Sequence, residues 1–127
     1  MANSDVFAGT MNVQGRKIKV KLSVIKFEDG GCTVLYCPAV EVYGYGKTDA
    51  EARSSLSVCM EEFFTYTLQN NTLAEELDRL GWKQNEEREI VPPSFSSLLR
   101  KSKILNGILN TRNFSKTDRN FDIPAFA

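Results

Sequence analysis

Residues 16 to 27, RKIKVKLSVIKF, alternate apolar and polar side chains almost without a break. Ile18, Val20, Leu22 and Val24 recur at a period of two, with Lys17, Lys19, Lys21 and Ser23 between them. Successive strand side chains point to opposite faces, so the pattern predicts a strand with one buried face and one solvated lysine face. Such a strand belongs in an antiparallel sheet, because parallel sheets are covered on both sides. The phase slips at Ile25 and Phe27, which predicts either a second covered face at that end or a bulge.

The neighbouring segments extend this strand into a meander. Val6 to Val13 is expected as a strand before it, with Gln14-Gly15 as the turn. After it, Gly30-Gly31 supplies the positive φ that a tight hairpin turn demands. Cys32 to Cys37 is apolar on both faces, as a central strand should be, and Pro38 ends its ladder by removing a donor. Glu41 to Gly46 reads as a short strand or an irregular crossing. Thr48-Asp49-Ala50-Glu51 matches a capping box, opening a helix of about 20 residues that lays Ala52, Leu56, Cys59, Met60, Phe63, Phe64 and Thr67 on the sheet. Asn70-Asn71 is its expected end. A second capping box, Thr72-Leu73-Ala74-Glu75, opens a short helix carrying Leu73, Leu77 and Leu80, with Gly81 as its stop and Trp82 packed at its end. Glu86 to Val91 is expected as a last strand.

The expected fold class is therefore α+β: a three-stranded antiparallel meander, a long helix packed on the sheet, a short helix and a further strand, followed by a C-terminal extension. Pro92-Pro93 divides a domain of residues 1–91 from an extension of residues 92–127. In the extension, Phe95, Leu98, Leu99, Ile104, Leu105, Ile108 and Leu109 suit one or two short helices, with Gly107 a weak point. Thr111 to Asn120 is polar and expected as loop. The end, FDIPAFA, is apolar and expected to dock on its own body or on another chain, which makes Phe121, Ile123 and Phe126 candidate oligomer contacts.

Several kinds of chemistry are already disfavoured. The chain has no histidine, which removes His-based triads. Its three cysteines are an odd number, and Cys32 and Cys37 are an odd spacing apart on one strand, so they cannot share a metal; all three read as small buried hydrophobes. The N-terminal residues MANSDVFAGT have neither a basic start nor an apolar core, and no run approaches the roughly 20 apolar residues of a membrane span, so a cytoplasmic location is expected. The formal net charge of zero is unevenly spread: residues 1–91 carry 10 Lys+Arg against 14 Asp+Glu, residues 92–127 carry 6 against 2. An acidic body with a basic tail is a partner signal.

The hairpin GGCTVLYCP followed by Gly46-Lys47-Thr48-Asp49-Ala50-Glu51-Ala52 resembles the HicB-like antitoxin family. That family shows a glycine, an apolar strand ending in proline, a loop, and then G-x-T-x-x-E-A opening the helix. The resemblance spans about residues 16 to 91. It implies a partly degraded ribonuclease H-like fold that binds a small HicA-like toxin, blocks its ribonuclease site, assembles as dimers or larger oligomers, and often carries a C-terminal DNA-binding unit. Two features depart from the pattern. AVEVYGY replaces the family's leucine-glycine turn, and the segment after Pro93 fits neither a ribbon-helix-helix nor a helix-turn-helix.

Ribonuclease H-type catalysis needs carboxylates converging on metal ions from the central strands. The first two predicted strands contain none, Glu28 and Asp29 sit in a turn, and Glu61 and Glu62 lie on the long helix without strand partners. The expectation is a non-catalytic module with no metal and no cofactor, binding a small basic protein through Val42, Tyr43 and Tyr45 at a sheet edge. One alternative is a DNA-binding regulator using Arg100, Lys101 and Lys103, with Arg112, Lys116 and Arg119 beyond them. The other is an orphan domain that only self-assembles, with FDIPAFA as the clip.

Overall fold

In the computed structural model the alternating stretch forms β1 (Lys17–Asp29), the longest strand of a four-stranded antiparallel sheet. The structure describes residues 17–87 and 89–124, so the strand expected at Val6 to Val13, its turn, and Phe126 lie outside the described residues. Gly30 and Gly31, with φ of 59° and 81°, turn β1 into β2 (Cys32–Cys37), and β3 (Val42–Gly46) pairs beyond it. These three strands make a three-stranded antiparallel meander before the long helix, as expected, but its third strand is the segment read as a short strand or irregular crossing. The fourth is β6 (Phe114–Pro124), which runs antiparallel to β1 from Lys17 opposite Pro124 to Phe27 opposite Phe114. The order is β3-β2-β1-β6.

The long helix α1 (Asp49–Gln69) packs on one face. Its Ala52, Leu56, Met60 and Phe64 are buried with Val20, Leu22 and Val24 of β1 and Leu35 and Cys37 of β2. The capping box at its start is built: Thr48 Oγ1 accepts from Glu51 N at 3.1 Å. Glu51 reaches back to Lys47 N at 2.8 Å, one residue before the cap. Asn71, with φ of 57°, turns the chain into α2 (Leu73–Arg79). The second capping box does not form; Thr72 makes no side-chain cap, and its hydroxyl turns back to Thr67 O at 3.5 Å. Gly81 stops α2 as expected, at φ 96°, and Trp82 is buried behind it, donating Nε1 to Ala39 O at 2.8 Å.

Three expectations are corrected beyond that point. The strand at Glu86 to Val91 is only β5 (Ile90–Val91), bridged to β4 (Lys83–Gln84), because Asn85 Oδ1 accepts from Glu87 N and Glu89 N and holds that segment in a turn. The supposed loop at Thr111 to Asn120 becomes strand from Phe114 onward. The segment after Pro93 is also more than an appendage. After α3 (Phe95–Lys101) and α4 (Lys103–Thr111) it supplies β6, and both helices pack on the sheet's second face. Leu98, Leu105 and Ile108 are buried there against Ile25, Phe27, Val34 and Tyr36. This second layer accounts for the phase slip. β1 carries no bulge: Ile25 pairs with Tyr36 on one side and Lys116 on the other, and its side chain is fully buried beneath the helices.

Candidate partner-binding surface

β3 lies at one edge of the sheet, and two of its five residues are glycines because α1 leaves no room for side chains there. A Cβ on Gly44 would stand 2.5 Å from Leu56 N and 2.6 Å from Ala52 O; on Gly46 it would stand 2.4 Å from Ala52 N. The alternation that turns the glycines inward turns Tyr43 and Tyr45 to the opposite face. There Tyr36 and Tyr43 face each other across the ladder with ring centroids 4.5 Å apart, and Tyr43 and Tyr45 follow at 5.9 Å. Exposure rises along this stack, from Tyr36 at 0% through half-buried Tyr43 to Tyr45 at 56%.

Between the outer tyrosines and α4 runs an open groove of about 540 Å³. Phe27 and Val34 form its floor, Tyr43 and Tyr45 one wall, and Ile104 and Gly107 the other. Ile104 is half exposed, and a Cβ on Gly107 would meet nothing within 4 Å. The groove's end is fixed by Arg112, which donates to Glu28 O at 3.2 Å and Asp29 Oδ1 at 3.1 Å and lies 5.4 Å from the Phe27 ring centroid. The edge itself is partly closed: Ser55 Oγ of α1 accepts from Tyr45 N at 3.0 Å.

The sequence-predicted residues are thus divided. Tyr43 and Tyr45 reach the surface together. Val42 points the other way, into the core beneath α1. Arg100, Lys101 and Lys103 are all exposed on α3 and α4, and Lys103 also lines the groove. Of the more distal cations, Arg112 is held in the hairpin turn and Lys116 sits 5.0 Å from the Phe95 ring centroid. Ile123 is fully buried in the chain's own core and Phe121 packs against it, so neither side chain is presented as an oligomer contact. The groove wall at Ile104 and Gly107, and the Ser55 contact, went unread in the sequence. Gly107 was visible only as a weak point in a helix.

The groups available here suit packing better than proton transfer. Burial holds the Tyr36 phenol well above the ordinary tyrosine range, with Tyr43 and Glu41 adding to the effect and Ser102 opposing it. Its hydroxyl has no well-formed hydrogen bond among the described residues. Tyr43 is raised too, by burial and then by Tyr45. Burial likewise pushes the Cys37 thiol up to about 12, far from a reactive thiolate. Glu28 accepts from Thr33 at 3.2 Å, and Asp29 holds Arg112. Among the described residues no three Cys, Asp or Glu side chains gather as a metal site requires, and no helix is long and apolar enough to cross a membrane. No family model, curated protein or solved structure matches the chain.

Proposed function

We propose that the chain is a non-catalytic partner-binding module of HicB-like type that receives a small basic HicA-like toxin at the β3 edge and shields its ribonuclease site. The observation carrying this reading is the graded tyrosine stack, which ends in Tyr45, over half exposed at 56% beside an apolar groove. Exposed aromatics on a rigid strand give contact area at little conformational cost. The excess of acids in residues 1–91 suits a basic partner and speeds encounter. The residues that carry the resemblance also have clear structural roles: Gly46 admits α1, while Thr48 and Glu51 cap it.

The test is inhibition of a purified HicA-like ribonuclease by the full chain, with Tyr45→Ala and Tyr43→Ala compared at matched folding by circular dichroism. Wild-type inhibition that weakens at least roughly tenfold in Tyr45→Ala supports the reading. Inhibition unaltered in both variants, or absent from the wild type, rejects it.

A second reading has one observation in its favour. Arg100, Lys101 and Lys103 are exposed on a helix pair, α3 and α4, that contains no acidic residue. Such a surface suits a phosphate backbone. A steep fall of DNA affinity with salt, abolished by replacing all three with alanine, would favour this regulator over the toxin-binding module.

A further inference from the structure

β6 closes the sheet on the side away from β3, and its outer edge pairs with nothing among the described residues. Phe114 to Asp118 and Asn120 are exposed and Arg119 is half-buried, so the edge is open to solvent, although Lys116 lies 5.0 Å from the Phe95 ring centroid of α3. An open strand edge is a template for another strand. Natural edges are blunted by charged side chains, lysine above all, but charges of both signs can pair across a ladder when the register sets opposites together. This one alternates: Lys116 and Asp118 share a face, their charges 3.0 Å apart, and Arg119 stands on the other.

We propose that a second copy of this chain pairs antiparallel with β6 along this edge, on a twofold axis through Thr117, joining the two sheets into one. The axis that makes two copies of a strand antiparallel stands perpendicular to the sheet, so each face continues into the same face of the partner. Side chains stay in phase only when the axis passes through a residue. Centring on Lys116, Asp118 or Arg119 sets that charge against itself. Centring on Asn120 sets Asp118 against the partner's Asp122, twice over.

Centring on Ser115, Phe121 or Thr117 avoids like-charge pairs, but only centring on Thr117 also sets opposite charges of β6 across from each other. Lys116 then stands opposite the partner's Asp118, and Asp118 opposite the partner's Lys116. Thr117 faces the partner's Thr117, and Ser115 faces the partner's Arg119. Because Lys116 and Asp118 already meet within one strand, pairing closes a ring of four alternating charges. Opposite charges directly across a ladder stabilise it and like charges oppose it. This contact lies at the far edge from the tyrosine stack, so dimerisation and toxin binding succeed or fail separately.

The test is the mass of the full chain by analytical ultracentrifugation across a concentration series. The wild type is expected as a dimer that dissociates on dilution. Lys116→Asp and Asp118→Lys each set like charges across the axis and should weaken the dimer roughly tenfold or more. The double variant Lys116→Asp/Asp118→Lys restores complementarity and should restore the dimer. Thr117→Asp sets two carboxylates at the axis while leaving the intrastrand pair intact, and it should also give monomer. A wild-type monomer at the highest concentration would overturn the proposal. So would single variants that dimerise like the wild type, or a folded double variant that stays monomeric.

Discussion

At the scale of single residues, the tightest constraint is the contact of α1 with β3. Gly44 lies against the backbone of Leu56 and Ala52, with no flexible side chain between them to yield. Gly44→Ala must therefore push the helix off the strand, and the expected loss is about 3 kcal/mol, readable as a lower denaturation midpoint with an unchanged slope. A second constraint is electrostatic. Asp49 lies in the first turn of α1, 3.0 Å from Lys26 of β1 and 2.6 Å from Arg53. The hydrogen bond and charge of Lys26, then Arg53 and Arg119, hold its carboxyl below the usual range. A depressed pKa contributes stability above the unfolded value, near about 3.9, and that stability is lost as pH falls through the folded value. The melting temperature of Asp49→Asn should thus be lower than wild type at neutral pH, and the gap should close below about pH 4. A gap unchanged down to low pH would show that the charge contributes nothing.

At the scale of elements, what could be read in the sequence was local and what could not was long-range. β1, β2 and α1 each carry their own signal: strict alternation, an apolar run ending in proline, and a capping box before a helical stripe. The tyrosines of β3 also show their period of two. β6 carries no such signal, because its first residues are exposed on both faces and nothing selects apolar side chains there; its strand form comes from the free edge of β1. The groove was hidden for the same reason, since α4 returns to the tyrosines only through the tertiary fold. That placement gives a prediction for α4 itself. Gly107 lies within the helix and faces open space, so Gly107→Ala relieves a helix penalty without a clash. It should raise stability by about 0.8 kcal/mol, with the groove still formed. A destabilised variant would mean that the glycine is needed for a closer approach.

At the scale of the whole molecule, Pro92-Pro93 marks a change of composition but not of core. Upstream residues build three strands of the four-stranded sheet and the α1 layer; downstream residues return to cover the other face and to pair along β1 from Lys17 to Phe27. A chain ending before Pro92 would lose β6, α3 and α4 together. Ile25, Phe27, Val34 and Tyr36, all buried at present, would face water on a sheet left with α1 on one side only. Burial of a side chain of this size is worth about 1.5–3 kcal/mol, and four such losses are comparable with the whole stability of a small domain, about 5–15 kcal/mol. The truncated chain should therefore lack a cooperative thermal transition and bind a hydrophobic dye. The same argument decides how the basic residues are to be examined: loss of DNA binding on truncation would report unfolding, whereas loss on replacing Arg100, Lys101 and Lys103 would report their charge. A truncated chain that melted cooperatively at the wild-type temperature would show instead that the α1 face suffices, and that the second layer was added to a fold already complete.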